Sequence, residues 1–141
     1  MKPADEKILP RLTADKKPFW EALRQGRFIT TRCGKCAAIS FPPRMLCPAC
    51  FSDQREWVEL SGRGAIYAFT RNRIVARAFI KDAPFITAMV DLEEGPRILT
   101  RIENASYEAL QIGQAVKIGF KALTDEIPFY YFEPVIKENN K

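Results

Sequence analysis

The chain has 141 residues, 47% hydrophobic and 28% charged, which bounds it to one compact unit or a small module on a modest domain. Its apolar runs are too short to span a bilayer and MKPADEKILP lacks the apolar core of a secretory signal, so a cytoplasmic address with no membrane partner is expected. The net charge is +5, and there is no histidine, which removes the commonest general base and disfavours, without excluding, an enzyme with its own active site. Residues 1–56 hold 11 Lys/Arg against 6 Asp/Glu, whereas residues 57–141 hold 11 of each, so the basic excess lies in the N-terminal part.

The expected division is an N-terminal arm and helix over residues 1–26, a zinc ribbon over 27–56, a barrel over 57–136 and a tail over 137–141. Residues 1–14, with Pro3 and Pro10 among polar side chains, read as an extended arm. DKKPFWEALRQG then predicts a short helix, with Asp15 as cap, Pro18 in the first turn and Gly26 as the stop. Phe19, Trp20 and Leu23 share one face, and so short a helix needs something to dock on.

All four cysteines follow in RCGKCAAISFPPRMLCPAC, as Cys33-x2-Cys36 and Cys47-x2-Cys50. In a reducing compartment two such pairs are better explained by a metal than by disulfides. Each pair chelates one side of a tetrahedral ion, and four thiolates leave no open position, as in structural zinc sites. Spacing does not separate Zn2+ from iron, which also suits four sulfurs, although zinc is the expected ion. A redox-active CxxC would leave the second pair unexplained.

From Trp57 onward the pattern becomes strands. WVELSGRGAIYAFTRNRIV reads as a first strand bent or bulged at Gly62 and Gly64. PFITAMVDL, RILTRIE, QIGQAVKIGF and PFYYFEPV supply four more, with a single helical turn over NASYEAL after the third. Five strands in this arrangement predict a small Greek-key barrel of the OB type, the alternatives being an SH3-like barrel or an open antiparallel sheet. The expected fold class is mainly β: a short helix and a four-cysteine ribbon, then a five-stranded barrel read as an OB-fold.

PFWEALRQGRF, RCGKC, FPPR followed by CPAC, EWVELSGRGAIYAFT, PFITAMVDLEEGPR and IGQAVKIGF, in this order from about Pro18 to Phe132, resemble the OB-fold proteins with an N-terminal rubredoxin-like zinc ribbon, long catalogued as a domain of unknown function. That resemblance implies a non-catalytic accessory or scaffold subunit. It would bind a thiolase-fold partner, whether thiolase, synthase or sterol-carrier-type aldolase, and help form or channel its acyl-CoA site, in a hetero-oligomer. It implies a metal-ligand role for Cys33, Cys36, Cys47 and Cys50. It also places Arg44 in the FPPR segment and Phe19 and Trp20 in the helix motif. RNRIVARAFIK, residues 71–81, is more charged than the proline- or histidine-rich stretch of many relatives.

The residues carry competing roles. Arg44, held by two prolines, suits a CoA phosphate or a partner carboxylate, or an internal ion pair. Phe19 and Trp20 suit an interface anchor, or the helix's own packing. Arg71 and Arg73 share a predicted strand face and, with Arg77 and Lys81, meet no acid before Asp82. They suit a phosphate-bearing ligand such as acyl-CoA, an acidic partner, or solvent. A single-stranded nucleic-acid-binding OB-fold protein is the alternative from another class, weakened because such binding needs a longer basic groove lined by stacking aromatics. An independent acyl-CoA enzyme is the third. PFYYFEP has aromatics on both faces, so one pair needs cover from this chain or another subunit.

Overall fold

The computed structural model describes residues 10–123 and 127–135, so the first nine residues of the expected arm and the expected tail over 137–141 lie outside the described residues. A 3-10 turn over Ala14–Lys16 leads into α1, Lys17–Arg24. Pro18 stands in the first turn, as expected. The cap differs: Lys16 occupies the N-cap without a side-chain hydrogen bond, and Asp15 sits inside the preceding turn. The helix stops at Gly26, whose φ is +72°. Its amide donates to the Leu23 carbonyl at 3.1 Å and that of Arg27 to Ala22 at 2.8 Å, so the last carbonyls are satisfied in a Schellman motif.

The ribbon is a three-stranded antiparallel sheet of β1 (Ile29–Cys33), β2 (Ile39–Ser40) and β3 (Arg55–Glu59), in the order β2-β1-β3. The expected single strand through SGRG is corrected here. Trp57, Val58 and Glu59 pair with Thr31, Thr30 and Ile29 of the ribbon, and a separate strand, β4 (Arg63–Asn72), begins the barrel. Gly62 makes the break, with φ +76°, while Gly64 lets two strands approach, since a Cβ there would lie 2.5 Å from the Asp91 carbonyl oxygen. The bulge falls later in β4, between Ile66 and Ala68.

The barrel closes through β4, β5 (Phe85–Leu92), β6 (Arg97–Ile102), β8 (Pro128–Pro134) and β7 (Ala115–Ala122), in that order. This is the OB arrangement, with β6 beside β8 in parallel and β7 returning to β4. The expected helical turn after the third barrel strand is present as a 3-10 turn, Tyr107–Ala109. Alternation sets the inside: Ile86, Ala88, Val90 and Leu92 on β5 and Ile98, Thr100 and Ile102 on β6 are buried, with half-buried or exposed residues between.

The helix, ribbon and barrel share one core. Phe28 is 2% exposed, with ring centroids 5.3 Å from Phe41 of the ribbon and 5.7 and 6.3 Å from Tyr130 and Phe132 of β8. The closed barrel makes β8 an interior strand of the sheet, not an edge. Its aromatics are covered from within the chain: Phe132 and Tyr130 are buried, Phe129 stacks on Trp20 of α1, and Tyr131 lies over Gly119.

Candidate metal centre and ligand or docking surfaces

The thiol sulfurs of Cys33, Cys36, Cys47 and Cys50 lie within 4.8 Å of one another. Cys33 ends β1, and the two pairs sit on matching turns. In the first, the Cys33 amide donates to Ala38 O at 2.9 Å and the Ala37 amide to Cys33 O at 3.0 Å; in the second, Cys47 N–H reaches Ser52 O at 3.0 Å and Phe51 N–H reaches Cys47 O at 2.9 Å. Sulfurs pair across the turns, Cys33 with Cys50 at 3.6 Å and Cys36 with Cys47 at 3.5 Å. Four sulfurs bound at about 2.3 Å around a tetrahedral ion would stand about 3.8 Å apart, so the donor set fits one metal with little movement.

The backbone prepares thiolates. Amides of Cys36 and Lys35 point at the Cys33 sulfur, at 3.4 and 3.3 Å, and pull its pKa down to about 6. Amides of Cys50 and Ala49 lower that of Cys47. At Cys36 the Ala38 amide acts in the same direction, but crowding by the sulfurs of Cys47, Cys50 and Cys33, with burial, pushes the thiol up to about 12. The rise at Cys36 reflects the cost of a further negative charge beside the other sulfurs, a cost that a bound cation relieves. The four cysteines thus present a closed donor set that fits a structural metal.

The other candidate residues do not gather into one site. Arg44 is exposed; its amide donates to Thr31 Oγ1 at 3.1 Å and its carbonyl accepts from Arg55, while its guanidinium has no bond among the described residues. Phe19 and Trp20 are buried, 4% and 7% exposed, against Phe41 and Phe129, so most of their surface serves the chain's own core. Arg71 is not a free cation. It pairs with Glu108 at 2.9 Å and lies 4.6 Å from the Tyr107 ring centroid, contacts hidden by a separation of more than thirty residues. Arg73 follows the end of β4 and is exposed, so the two arginines do not form a shared strand patch.

The structure adds a groove that no motif announced. It has a volume of about 440 Å³ and is walled by Trp20, Phe41, Pro43, Met89, Leu99 and Phe129, with Lys16 and Arg97 also lining it. Trp20 Nε1 is buried with no hydrogen-bond partner among the described residues. Arg97 is tied to Asp91 at 2.5 Å and stacks over Tyr67 at 3.4 Å. The wall draws on helix, ribbon and barrel, which is why linear sequence conceals it. Among the described residues no helix is long and apolar enough to cross a membrane.

A four-cysteine ribbon carried on a five-stranded barrel and joined to it by a common aromatic core defines the class of zinc-ribbon OB-fold proteins. Two family models match in sequence: the ChsH2 rubredoxin-like zinc ribbon domain over residues 20–56, and the ChsH2 C-terminal OB-fold domain over residues 57–121. The chain belongs to this family, the DUF35 proteins. It is 33% identical over 99 residues to a DUF35 domain-containing scaffold protein of Methanocaldococcus jannaschii, covering 70% of each chain. It is 38% identical over 74 residues to the benzoylsuccinyl-CoA thiolase subunit BbsA of Thauera aromatica, covering 52% of this chain and half of that one. A solved structure described as the Ltp2-ChsH2(DUF35) aldolase superposes with a TM-score of 0.79 at 26% identity, over 91% of this chain and all of the other.

Proposed function

We propose that this chain is a non-catalytic accessory subunit that docks on a thiolase-fold enzyme, a thiolase, synthase or sterol-carrier-type aldolase, and helps form its acyl-CoA site. The observation that carries the reading is the match to the DUF35 chain of an aldolase, which extends over nearly the whole molecule. The name of the thiolase subunit among the relatives points the same way. The partner supplies the reacting groups for carbon–carbon chemistry; this chain, without histidine, supplies shape and charge.

In this reading the metal is one zinc ion held by Cys33, Cys36, Cys47 and Cys50, and its work is to hold the ribbon's two turns together so that the ribbon stays docked on the barrel. The groove beside Trp20 offers an apolar wall to an acyl or pantetheine chain. Lys16 and Arg97 stand by it, and Arg44 provides a further cation for CoA phosphates or partner carboxylates. Arg73 is a lesser candidate, and Arg71 is engaged by Glu108. The complex is placed in the cytoplasm.

Purification from the native cell with identification of co-eluting proteins tests the proposal. A thiolase-fold or aldolase subunit in fixed ratio, with one zinc per chain by elemental analysis, is the expected result. Recovery as a free chain, or turnover of a thioester by the isolated chain, overturns it. Iron in place of zinc corrects the ion alone.

A further inference from the structure

Large apolar side chains left in solvent gather on one turn of the ribbon. Met45 is 58% exposed, Leu46 54% and Phe51 77%. Leu46 immediately precedes Cys47 and Phe51 immediately follows Cys50, so the closed turn of the second cysteine pair fixes the backbone of both. Each pair is followed by a residue in the left-handed region, Ala37 at φ 65° and Phe51 at φ 63°. Such a conformation is strained for any side chain and more so for a bulky one. The first turn limits the strain with a small residue. The second accepts it with an aromatic ring that packs on nothing in the described core. Neither the turn nor the core explains a phenylalanine there.

The surface around the ring narrows the occupant. The adjoining cleft, lined by Arg44, Leu46 and Cys47, holds only about 10 Å³, too little for a small molecule. The tip is thus a knob that needs a concavity on something larger. Arg44 and Lys35 have side chains without a bond or ion pair among the described residues, and residues 27–56 hold five Lys/Arg against two Asp/Glu. Two free cations are thin for a lipid surface, which calls on clusters of four or more, and Met45 and Leu46 do not stack on bases. A rigid aromatic with aliphatic neighbours and a cationic border suits a protein pocket, where little ordering cost remains to be met on binding.

We infer that Phe51, with Leu46 and Met45, is the plug by which the ribbon docks on its enzyme partner. It enters an apolar pocket bordered by a carboxylate that faces Arg44, which lines the same cleft as Leu46. This rests on the partnership proposed above and assigns its contact surface.

The test uses the metal-loaded full chain and the thiolase-type subunit that co-purifies with it, separated and immobilised for affinity measurement. Phe51→Gly relieves the left-handed strain, so its melting temperature should equal or exceed that of the wild type with metal content unchanged, while affinity falls at least tenfold. Leu46→Ser should weaken binding similarly, and Arg44→Glu should weaken it most at low salt. Phe51→Tyr, which keeps the ring, should bind nearly as well as the wild type. Unchanged affinity of Phe51→Gly in a complex that still forms overturns the docking assignment and leaves the partnership standing. Loss of metal or of melting temperature in Phe51→Gly shows a structural role and overturns it too. So does Phe51-dependent binding to anionic vesicles or oligonucleotides, or Phe51-dependent self-association in sedimentation. If no thiolase-type subunit accompanies the wild type, the partnership fails and the assignment falls with it.

Discussion

Phe28→Ala should loosen the whole molecule, because this ring joins ribbon to barrel. The side chain is 2% exposed and lies between Phe41 on one side and Tyr130 and Phe132 on the other. Truncating a buried phenylalanine to alanine costs about 3–5 kcal/mol, as lost transfer energy plus the cavity left behind. The backbone bond from Leu60 N–H to the Phe28 carbonyl survives the change, so the loss is one of packing. For a chain of this size about 3–5 °C of melting temperature accompanies each kcal/mol, which makes the expected fall about 9–25 °C. Phe28→Leu, which keeps part of the volume, should lose about a third as much. Thermal melts by circular dichroism, with metal content measured beside them, make the check. One cooperative transition moving as a unit fits a shared core. A fall below about 3 °C, or a wild type that melts in two separated steps, would refute the claim that ribbon and barrel are packed as one body.

Removing the metal with a chelator, or with Cys33→Ser, should expose the amides of β1 and β3 to hydrogen exchange, since structural zinc contributes roughly 10–16 kcal/mol in small peptides; ribbon amides that stay protected would argue against a structural ion. Gly64→Ala should cost about 1–3 kcal/mol, because its Cβ would meet the Asp91 carbonyl at 2.5 Å and Val90 Cγ1 at 2.8 Å and β5 would have to move; urea unfolding measures it. The Glu108 carboxyl is held below its usual value of 4.5, first by its own backbone N–H and then by Arg71. A depressed folded-state pKa stabilises above the unfolded value and is lost as pH falls through the folded one, so the effect belongs to the acid limb below the ordinary carboxylate range. Arg71→Gln should raise the Glu108 pKa in an NMR titration; an unmoved titration would show that the ion pair is not populated in solution.

Fold class and metal site were legible because both are written in local signals. Two CxxC pairs specify ligand type, number and spacing, and a metal needs little else. Alternation in PFITAMVDL and RILTRI marks strands with one buried face, and Gly26 marks the end of a helix whose stop is an αL turn. Long-range pairing was less legible. WVE and RGAIY read as one strand because each is β-rich, and only the register with Ile29–Cys33 assigns the first to the ribbon. The basic stretch that begins at Arg71, near the end of β4, read as free charge because Glu108 lies far along the chain, and it is the barrel that brings the carboxylate to Arg71. The Phe51 tip left one trace, a phenylalanine where a turn favours glycine, but its exposure depends on what the rest of the chain fails to cover.

By itself, the order of residues settled that four sulfurs are available to one ion, which stretches are pleated and where the helix must stop, since sulfur ligation, pleat alternation and left-handed turns each act over a few neighbouring positions. Tertiary structure alone decided which aromatics became core, which arginine was neutralised, and that helix, ribbon and barrel together wall a groove. Those outcomes depend on burial and on charge separation, and both are distances in space between residues that the chain keeps far apart.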